Sequence, residues 1–334
     1  IMYTKNKNLG IIIMNKRVMI KAIFTILILI QSMVINTFGC DVCGCKVGGS
    51  LAGSDMESDK HYIGVSYNFN QYETKVDWTT ENRNSGGNYL ANEYSKDKYH
   101  QFDYLVNLAI NEKFRIAWNQ PIKYQTVVSS ETEESLYGFG DPLFQIQWFI
   151  LTSESGYKKV ISNHLSSSLG VQIPLGESNS FDKNGNKHNE NFQLGVGAHG
   201  YYSSFKHTLR YFKYGLHTEA MYLMNSTNAL EYKRGDQKSF QTSLLFYDQW
   251  RYYSYNIKLG TSYDHSGRDK SYGFLKANRG GESWSAITST QWRWDQYTML
   301  LGLSIPLLQS YHIDDNASLS GGSNWTLSVG YYFK

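Results

Sequence analysis

Long apolar segments are scarce in this sequence, and their absence excludes a bundle of membrane-spanning helices. The mean hydropathy is −0.45, and no stretch reaches the roughly 18 apolar residues that a transmembrane helix needs. Runs of lysine or arginine are also missing from the region after the N-terminus, and the net charge is only +3. We therefore expect no nucleic-acid partner. Proline, at 4 residues, and cysteine, at 3, are both rare.

Aromatic residues, in contrast, are abundant. Tyrosine alone accounts for 27 residues, and aromatic residues make up 15% of the chain. These residue types favour β-strands and membrane interfaces. The chain is therefore too polar for a helical membrane protein, but its composition is typical of β-strands that contact a membrane.

The N-terminal region has the features of an export signal. Met14 is a natural start, a basic stretch covers 16–21, and an apolar stretch of about nine residues covers 22–30. Small residues at the −3 and −1 positions precede Cys40. We expect an upstream segment plus a removed signal peptide over 1–39, a Cys- and Gly-rich periplasmic or plug segment over 40–59, and a barrel over 60–334.

From residue 60 onward, apolar and polar residues alternate in many segments. Clear examples are 114–122, 144–150, 297–305 and 325–333, and the same alternation occurs over 192–199. In a strand, a period of two places the two sets on opposite faces. The alternation therefore predicts strands with one apolar face and one face of polar residues and glycine.

The connections between these segments distinguish a membrane barrel from a soluble β-sandwich. Short turns, such as those near 205–207 and 295–296, alternate with longer polar loops such as 127–137 and 176–189. Short periplasmic turns and long extracellular loops are typical of outer-membrane barrels. We therefore predict an all-β, antiparallel transmembrane β-barrel in the cell outer membrane, in contact with its lipid. The twelve predicted strands cover about 60–72, 98–110, 113–126, 138–152, 159–175, 190–204, 208–225, 237–249, 252–265, 283–294, 297–309 and 322–333.

One stretch resembles a known family. The residues Gly138-Phe139-Gly140-Asp141-Pro142-Leu143, followed by a strand that ends in a Pro-x-Gly turn at 174–176, resemble the MetA-pathway phenol-degradation family of outer-membrane proteins. The resemblance covers 60–334 in pattern and 138–176 in motif. It implies a barrel that transports small, often hydrophobic molecules. Asp141 either caps or pairs locally with a lumen-facing cation, or it lines the passage.

The three cysteines form the sharpest local motif, Cys40-x-x-Cys43-x-Cys45. Thiolates suit Cu(I), zinc or an iron–sulfur cluster, and His61 or a partner could supply a fourth ligand for a soft metal ion. Lipidation of Cys40 and a disulfide between two of the cysteines are the alternatives. The motif lies outside the family signature and looks like a variant in related exported proteins of Bacteroidetes-type bacteria.

A second motif, Asn163-His164-Leu165-Ser166, faintly resembles the outer-membrane phospholipase A family. The register places His164 and Ser166 opposite the apolar face and therefore toward the lumen, whereas a phospholipase needs its serine on the lipid side. We therefore expect no enzyme, and keep a phospholipase-like activity only as the weakest alternative.

The remaining polar residues on the inward face give the candidate passage. They either line a route for solutes or form a pairing network that fills a narrow barrel. The candidates are Asp103, Arg115, Lys123, Asp141, Gln145, Gln147, His164, His199, Lys213, His217, Glu219 and Lys258.

Two functions follow from these features. The first is an outer-membrane channel for small, including hydrophobic, solutes. The second is a barrel-anchored metal-binding or redox module that uses Cys40, Cys43 and Cys45, with room for a periplasmic protein partner.

Overall fold

The described part of the chain consists mostly of β-strands. The computed structural model describes residues 38–39, 60–76, 93–129, 133–153, 161–181, 185, 187–188, 190–250, 253–276, 279–312 and 317–334. Within these residues there is no helix long and apolar enough to cross a membrane.

Twelve long strands form one antiparallel sheet, and two of them are each broken into two segments. They are β1 (His61–Val76), β2 (Glu93–Ala109), β3 (Phe114–Ser129), β4 (Glu133–Phe139 and Leu143–Thr152), β5 (Ile161–Gln172), β6 (Gly200–Tyr211), β7 (Tyr214–Asn225), β8 (Gln237–Trp250), β9 (Tyr253–Ser266), β10 (Gly281–Trp294), β11 (Tyr297–Tyr311) and β12 (Ala317–Gly322 and Asn324–Phe333). A two-residue strand, Phe38–Gly39, pairs with the first segment of β12.

The sheet closes on itself. Each strand pairs with its neighbours along the chain, and β12 pairs with β1 from Trp325 opposite Phe69 to Phe333 opposite His61. Closure leaves no continuous open edge among these twelve strands, so the backbone groups of the wall are paired within the sheet. The predicted twelve-stranded antiparallel barrel is thereby confirmed.

The connections differ in length at the two ends of the barrel. At the tight-turn end, β6 joins β7 through Phe212 and Lys213, and β10 joins β11 through Asp295 and Gln296. Phe212 and Asp295 have φ values of 56° and 55°, which suit the two-residue turns that follow the twist of a hairpin. The long connections 173–199, 226–236 and 267–280 lie at the other end. By the outer-membrane pattern, the tight-turn end is periplasmic and the long-connection end extracellular.

A small second sheet lies in the long connections. It consists of Tyr232–Lys233, Lys270–Ser271 and Phe274–Leu275. We call it the cap sheet.

The predicted sixth strand, 190–204, is wrong. Residues 190–199 form no strand, β6 begins at Gly200, and the following turn lies at 212–213 instead of 205–207. Gly197 has a φ of 70°, which a regular strand does not accommodate. Phe192 and Leu194 are buried, so the alternation over 192–199 reflects packing inside the barrel and not a lipid-facing strand.

The predicted long loop at 127–137 is also wrong. β3 continues to Ser129 and β4 begins at Glu133, with Val128 opposite Glu133 and Tyr124 opposite Tyr137. The residues of this predicted loop, polar and apolar alike, pair through their backbones, because ladder hydrogen bonds do not require an apolar side chain.

The wall has an apolar outside and a polar inside. The largest fully buried side chains include Arg115, His217 and Glu219, whereas Leu244 and Leu308 are 70% and 69% exposed. This distribution reverses that of a soluble protein and is expected when the outer face meets lipid. Aromatic side chains pair on the outer face near both ends of the strands. Examples are Trp294 with Tyr297 at the tight-turn end and Tyr263 with Trp284 at the other end.

Candidate functional site: the barrel lumen

Most of the predicted lumen residues face the interior. Those that lie on inward-facing positions or are buried within the wall are Asp103, Arg115, Lys123, Asp141, Gln145, Gln147, His164, His217, Glu219 and Lys258. Their role in passage stays a prediction.

Two predicted lumen residues lie elsewhere. His199 precedes the inward-facing Gly200 and its side chain is exposed. Lys213 lies in the turn between β6 and β7, where its Nζ is 3.0 Å from the Asp248 carboxylate. The reason in both cases is the shift of β6 relative to its predicted position, which reverses the face of residue 199 and moves residue 213 out of the strand.

A long connection folds into the barrel and narrows it. We call the described residues between β5 and β6, which are 173–181, 185, 187–188 and 190–199, the inward segment. Lys123, on the inward face of β3, donates a hydrogen bond from Nζ to the carbonyl oxygen of Leu194 at 2.7 Å. Phe192 and Leu194 are 4% and 2% exposed, so the apolar part of this segment is shielded from water inside the barrel.

Asp141 holds the inward segment at two points. It lies in the break between the two segments of β4 and is 3% exposed. Its Oδ1 accepts a hydrogen bond from the backbone N–H of Gly176 at 2.8 Å, and its Oδ2 accepts one from the backbone N–H of Val196 at 2.7 Å. A buried carboxylate needs such donors, and hydrogen bonds to a charged acceptor are stronger than neutral ones. One side chain therefore joins both ends of the inward segment to the wall.

The inward segment has no room for a larger residue at Gly195. A Cβ there would lie 2.6 Å from Asp141 Oδ1 and would also collide with the carbonyl oxygen of Gly176. The two parts of the family-like motif, 138–143 and 169–176, therefore meet at this carboxylate. Asp141 thus accepts hydrogen bonds from the backbone of the inward segment, and its role in passage stays a prediction.

Further side chains fasten the inward segment. Gln193 Oε1 accepts hydrogen bonds from the backbone N–H of Ser180 at 2.9 Å and from its hydroxyl at 2.8 Å. His188 Nε2 lies 3.0 Å from the Glu134 carboxylate on β4. Asn228, in the next long connection, donates a hydrogen bond to the carbonyl oxygen of Val196 at 3.1 Å. The segment is thus a structured part of the barrel interior.

The cap sheet is centred on Asp269. The Tyr232 hydroxyl donates a short hydrogen bond to its Oδ2, and the backbone N–H of Gly235 donates to its Oδ1 at 2.7 Å. Arg279 Nε lies 3.7 Å from the same carboxylate. Burial and the adjacent Asp269 carboxylate raise the pKa of Tyr232, so the phenol stays protonated and keeps donating at physiological pH.

A buried ion pair lies near the middle of β6 and β7. Lys206, Glu219 and Gln241 are opposite one another on β6, β7 and β8. Lys206 Nζ is 3.2 Å from Glu219 Oε1, and Gln241 donates a hydrogen bond to Oε2 at 2.7 Å. His217, two residues before Glu219, shares a hydrogen bond of 2.8 Å with the Thr208 hydroxyl.

Three arginines lie on inward-facing positions at the tight-turn end, each with its guanidinium over an aromatic ring. Arg115 lies 5.2 Å from the Phe149 ring centroid, Arg210 lies 4.6 Å from that of Tyr247, and Arg293 lies 4.7 Å from that of Tyr332. These are cation–π distances. The stacking holds the planar groups against the wall.

A small recess with a volume of about 10 Å³, room for about one water molecule, lies in the wall of the lumen beside the ion pair. It is lined by His217, Gln241, Ser243, Lys258, Ile287, Thr288 and Ser289, which come from β7, β8, β9 and β10.

The phospholipase-like motif is divided by the wall. Asn163 accepts a hydrogen bond of 2.9 Å from Nε2 of His207, whose position faces outward, whereas Ser166 faces inward and lies 3.3 Å from Gln147 Nε2. His164 also faces inward. His164 and Ser166, the residues that a phospholipase would use as base and nucleophile, therefore share the inward face, away from lipid.

The cysteine motif lies outside the described residues. Cys40, Cys43 and Cys45 therefore remain predicted ligands. The boundaries of the signal peptide and of the 40–59 segment also remain predictions. Within the described residues, no group of three or more His, Asp or Glu side chains is arranged to hold a metal ion.

The inward segment does not follow from the sequence pattern. Gly176, Gly195 and Gly197, spaced among Asn and Ser residues, are the available signal, because glycines at such a density favour close backbone approach over a regular strand.

The fold of this chain is similar to that of solved outer-membrane proteins. The chain is similar to the structure of an outer-membrane channel from Pseudomonas putida F1, with a TM-score of 0.60, 11% sequence identity, and coverage of 86% of this chain and 100% of that chain. A FadL homologue from Pseudomonas aeruginosa is also similar, with a TM-score of 0.41, 10% identity, and coverage of 89% and 98%. No protein-family model matches the chain, and no curated protein matches it. The barrel therefore has the fold of an outer-membrane channel.

Proposed function

We propose that this protein is an outer-membrane channel for small solutes, including hydrophobic ones. The observation that carries the proposal is the construction of the lumen. A closed barrel with a polar interior is narrowed by an inward segment that Asp141 and Lys123 hold in place. A barrel without a transport role would not need a connection that folds into its interior and is hydrogen-bonded to its wall.

The likeness to a solved outer-membrane channel supports the same class of function. The resemblance of 138–176 to the MetA-pathway family favours small and often hydrophobic molecules. The inward position of both His164 and Ser166, away from lipid, argues against lipid hydrolysis.

The proposal includes the processing of the N-terminus. Residues 1–39 would be removed on export, and 40–59 would precede the barrel on the periplasmic side or enter the lumen as a plug. The metal-binding alternative at Cys40, Cys43 and Cys45 is separable, because it predicts bound copper, zinc or iron. A triple Cys→Ser variant with the same near-zero metal content as the natural chain would remove that alternative.

A flux assay tests the channel. The purified protein is placed in liposomes, and the entry of a series of neutral solutes of increasing size is measured against protein-free liposomes. We expect entry of the smallest solutes and a sharp upper size limit set by the inward segment. Entry no faster than in protein-free liposomes for every solute would overturn the proposal.

A further inference from the structure

The three inward-facing arginines lie at one level of the lumen, beside the tight turns. Arg115 is the second residue of β3, and Arg210 and Arg293 each precede the last residue of β6 and β10. These strands are distributed around the barrel and are not neighbours in the sheet. The guanidiniums therefore lie on different sides of the lumen, and we call them the arginine layer.

The described wall has no inward carboxylate at this level. Among the four residues of each of the twelve strands that are nearest the tight turns, Asp248 is the one aspartate or glutamate. Asp248 follows Tyr247, whose ring lies on the inward side against Arg210, and pairs with Lys213 in the turn. Because successive side chains of a strand alternate between faces, Asp248 faces outward. The inward charge of the wall at this level is therefore positive.

Arg210 shows how the wall holds one of these charges. Its side chain is 6% exposed. Its Nε donates a hydrogen bond to the Ser162 hydroxyl at 3.1 Å, and its Nη1 donates one to the carbonyl oxygen of Phe212 at 2.9 Å. These described partners and the Tyr247 ring are neutral, so they position the guanidinium without cancelling its charge. A guanidinium keeps its proton in proteins, which makes Arg210 a fixed positive charge of the lumen.

The half of the lumen nearer the long connections carries the opposite sign. Asp97, Asp141 and Asp264 lie in that half and are 5%, 3% and 6% exposed. Lys123 shares the inward positions of its strands, and Arg234 reaches toward Asp141 from a connection. The three buried carboxylates thus outnumber these two cations. The fixed charge of the described lumen therefore changes sign between its two ends.

We propose that the arginine layer is the charge-selective part of this channel and holds back cationic solutes at the periplasmic exit. The proposal rests on the proposed channel function and adds to it the element that discriminates solutes by charge. Rings of arginine or lysine act in this way in pores, because low-dielectric walls strengthen the field of a fixed charge. Since the opposite half carries carboxylates, ionic current at low salt should differ between the two polarities.

Planar-bilayer recordings of Arg210→Gln test the layer. Glutamine retains a donor for Ser162 but removes the charge. In a KCl gradient, the permeability ratio of K⁺ to Cl⁻ should rise about twofold or more in this variant. In symmetric low salt, the difference between its currents at the two polarities should decrease. Arg210→Lys retains the charge and should keep both natural values. At about 1 M salt, where the Debye length is about 3 Å, Arg210→Gln and the natural chain should become similar.

Lys213→Gln is the matched control. It removes a cation at the same end of the barrel but outside the lumen, where the Nζ of Lys213 is 3.0 Å from the Asp248 carboxylate. Its permeability ratio should equal that of the natural chain. If Arg210→Gln does not fold, Arg293→Gln provides the same test at the half-buried arginine of the layer.

Three results would overturn the role of the arginine layer. They are an unchanged permeability ratio in the arginine variant, an equal rise in Lys213→Gln, and equal currents at both polarities in the natural chain at low salt. Each of these leaves the channel itself standing, because current still flows. The absence of any current from the natural chain would instead overturn the channel, and the role of the layer with it.

Discussion

The two halves of the lumen are narrowed in different ways. In the long-connection half, a segment of backbone enters the barrel, donates two hydrogen bonds to Asp141 and accepts one from Lys123. From the middle of the barrel to the tight-turn end, strand side chains fill the space, with the Lys206–Glu219 pair at mid-strand and three stacked arginines at the end. The first constriction depends on a few contacts between a connection and the wall, whereas the second is part of the wall. Substitutions should therefore open the first half and destabilise the second.

The largest effect is expected from Gly195→Val. A Cβ at this position would collide with the Asp141 carboxylate and the carbonyl oxygen of Gly176, so the inward segment cannot keep its position. The upper size limit for neutral solutes in liposomes should rise, and flux of the smallest solutes should increase several-fold. Gly185→Asn is the control, since a Cβ at Gly185 meets no atom within 4 Å and asparagine tolerates its φ of 82°. Equal flux in Gly195→Val and the natural chain would show that the segment does not limit passage.

The next effect concerns the stability of the wall, at the buried ion pair in the middle of β6 and β7. Glu219→Gln leaves the Lys206 ammonium without its carboxylate, and breaking a buried pair in this way costs about 3 kcal/mol. Urea unfolding in micelles should show the loss with little change in solute size limit. Glu73→Gln removes a carboxylate from an outward pair with Lys96, at 3.3 Å, and should cost less than about 1 kcal/mol. Similar losses for the two variants would contradict the distinction between inner and outer pairs.

A smaller, pH-dependent effect is expected in the cap sheet. Tyr232→Phe removes a hydrogen bond to Asp269 and should cost about 1 kcal/mol locally. Because the pKa of Tyr232 is raised in the folded protein, its contribution is complete below the ordinary tyrosine value of about 10 and is lost as the pH rises through the folded value. Proteolysis of 226–236 should thus accelerate above about pH 10 in the natural chain. The same acceleration in Tyr232→Phe would show that another group titrates.

The sequence is sufficient to predict the barrel. The period of two and the connection lengths predict that the sheet closes, how many strands it has, and which side chains of the strands face inward. It is insufficient for the inward segment, because 192–199 has the same period for a different reason. There the apolar side chains pack inside the barrel, and Gly197 adopts a φ of 70°. The alternation of apolar and polar residues indicates which side chains are shielded from water. It does not indicate whether lipid or the interior of the barrel shields them.

The same limit applies to the candidate site. The motif identifies Asp141 as a candidate, yet its two backbone donors are 35 and 55 residues further along the chain, and no local pattern predicts such contacts. The predicted positions of His199 and Lys213 are wrong because a strand shifted by several residues changes which side chains face inward.

A conductance comparison between the natural chain and Asp141→Ala tests whether the inward segment, held in place by Asp141, narrows the channel. Both proteins are inserted in the same planar bilayer, with Asp248→Ala, at the opposite end of the barrel, as the control. Removal of the carboxylate frees the amides of Gly176 and Val196, so single-channel conductance should rise several-fold in Asp141→Ala and stay unchanged in Asp248→Ala. Identical conductance in all three proteins, or no current in any of them, would contradict a channel narrowed by the inward segment.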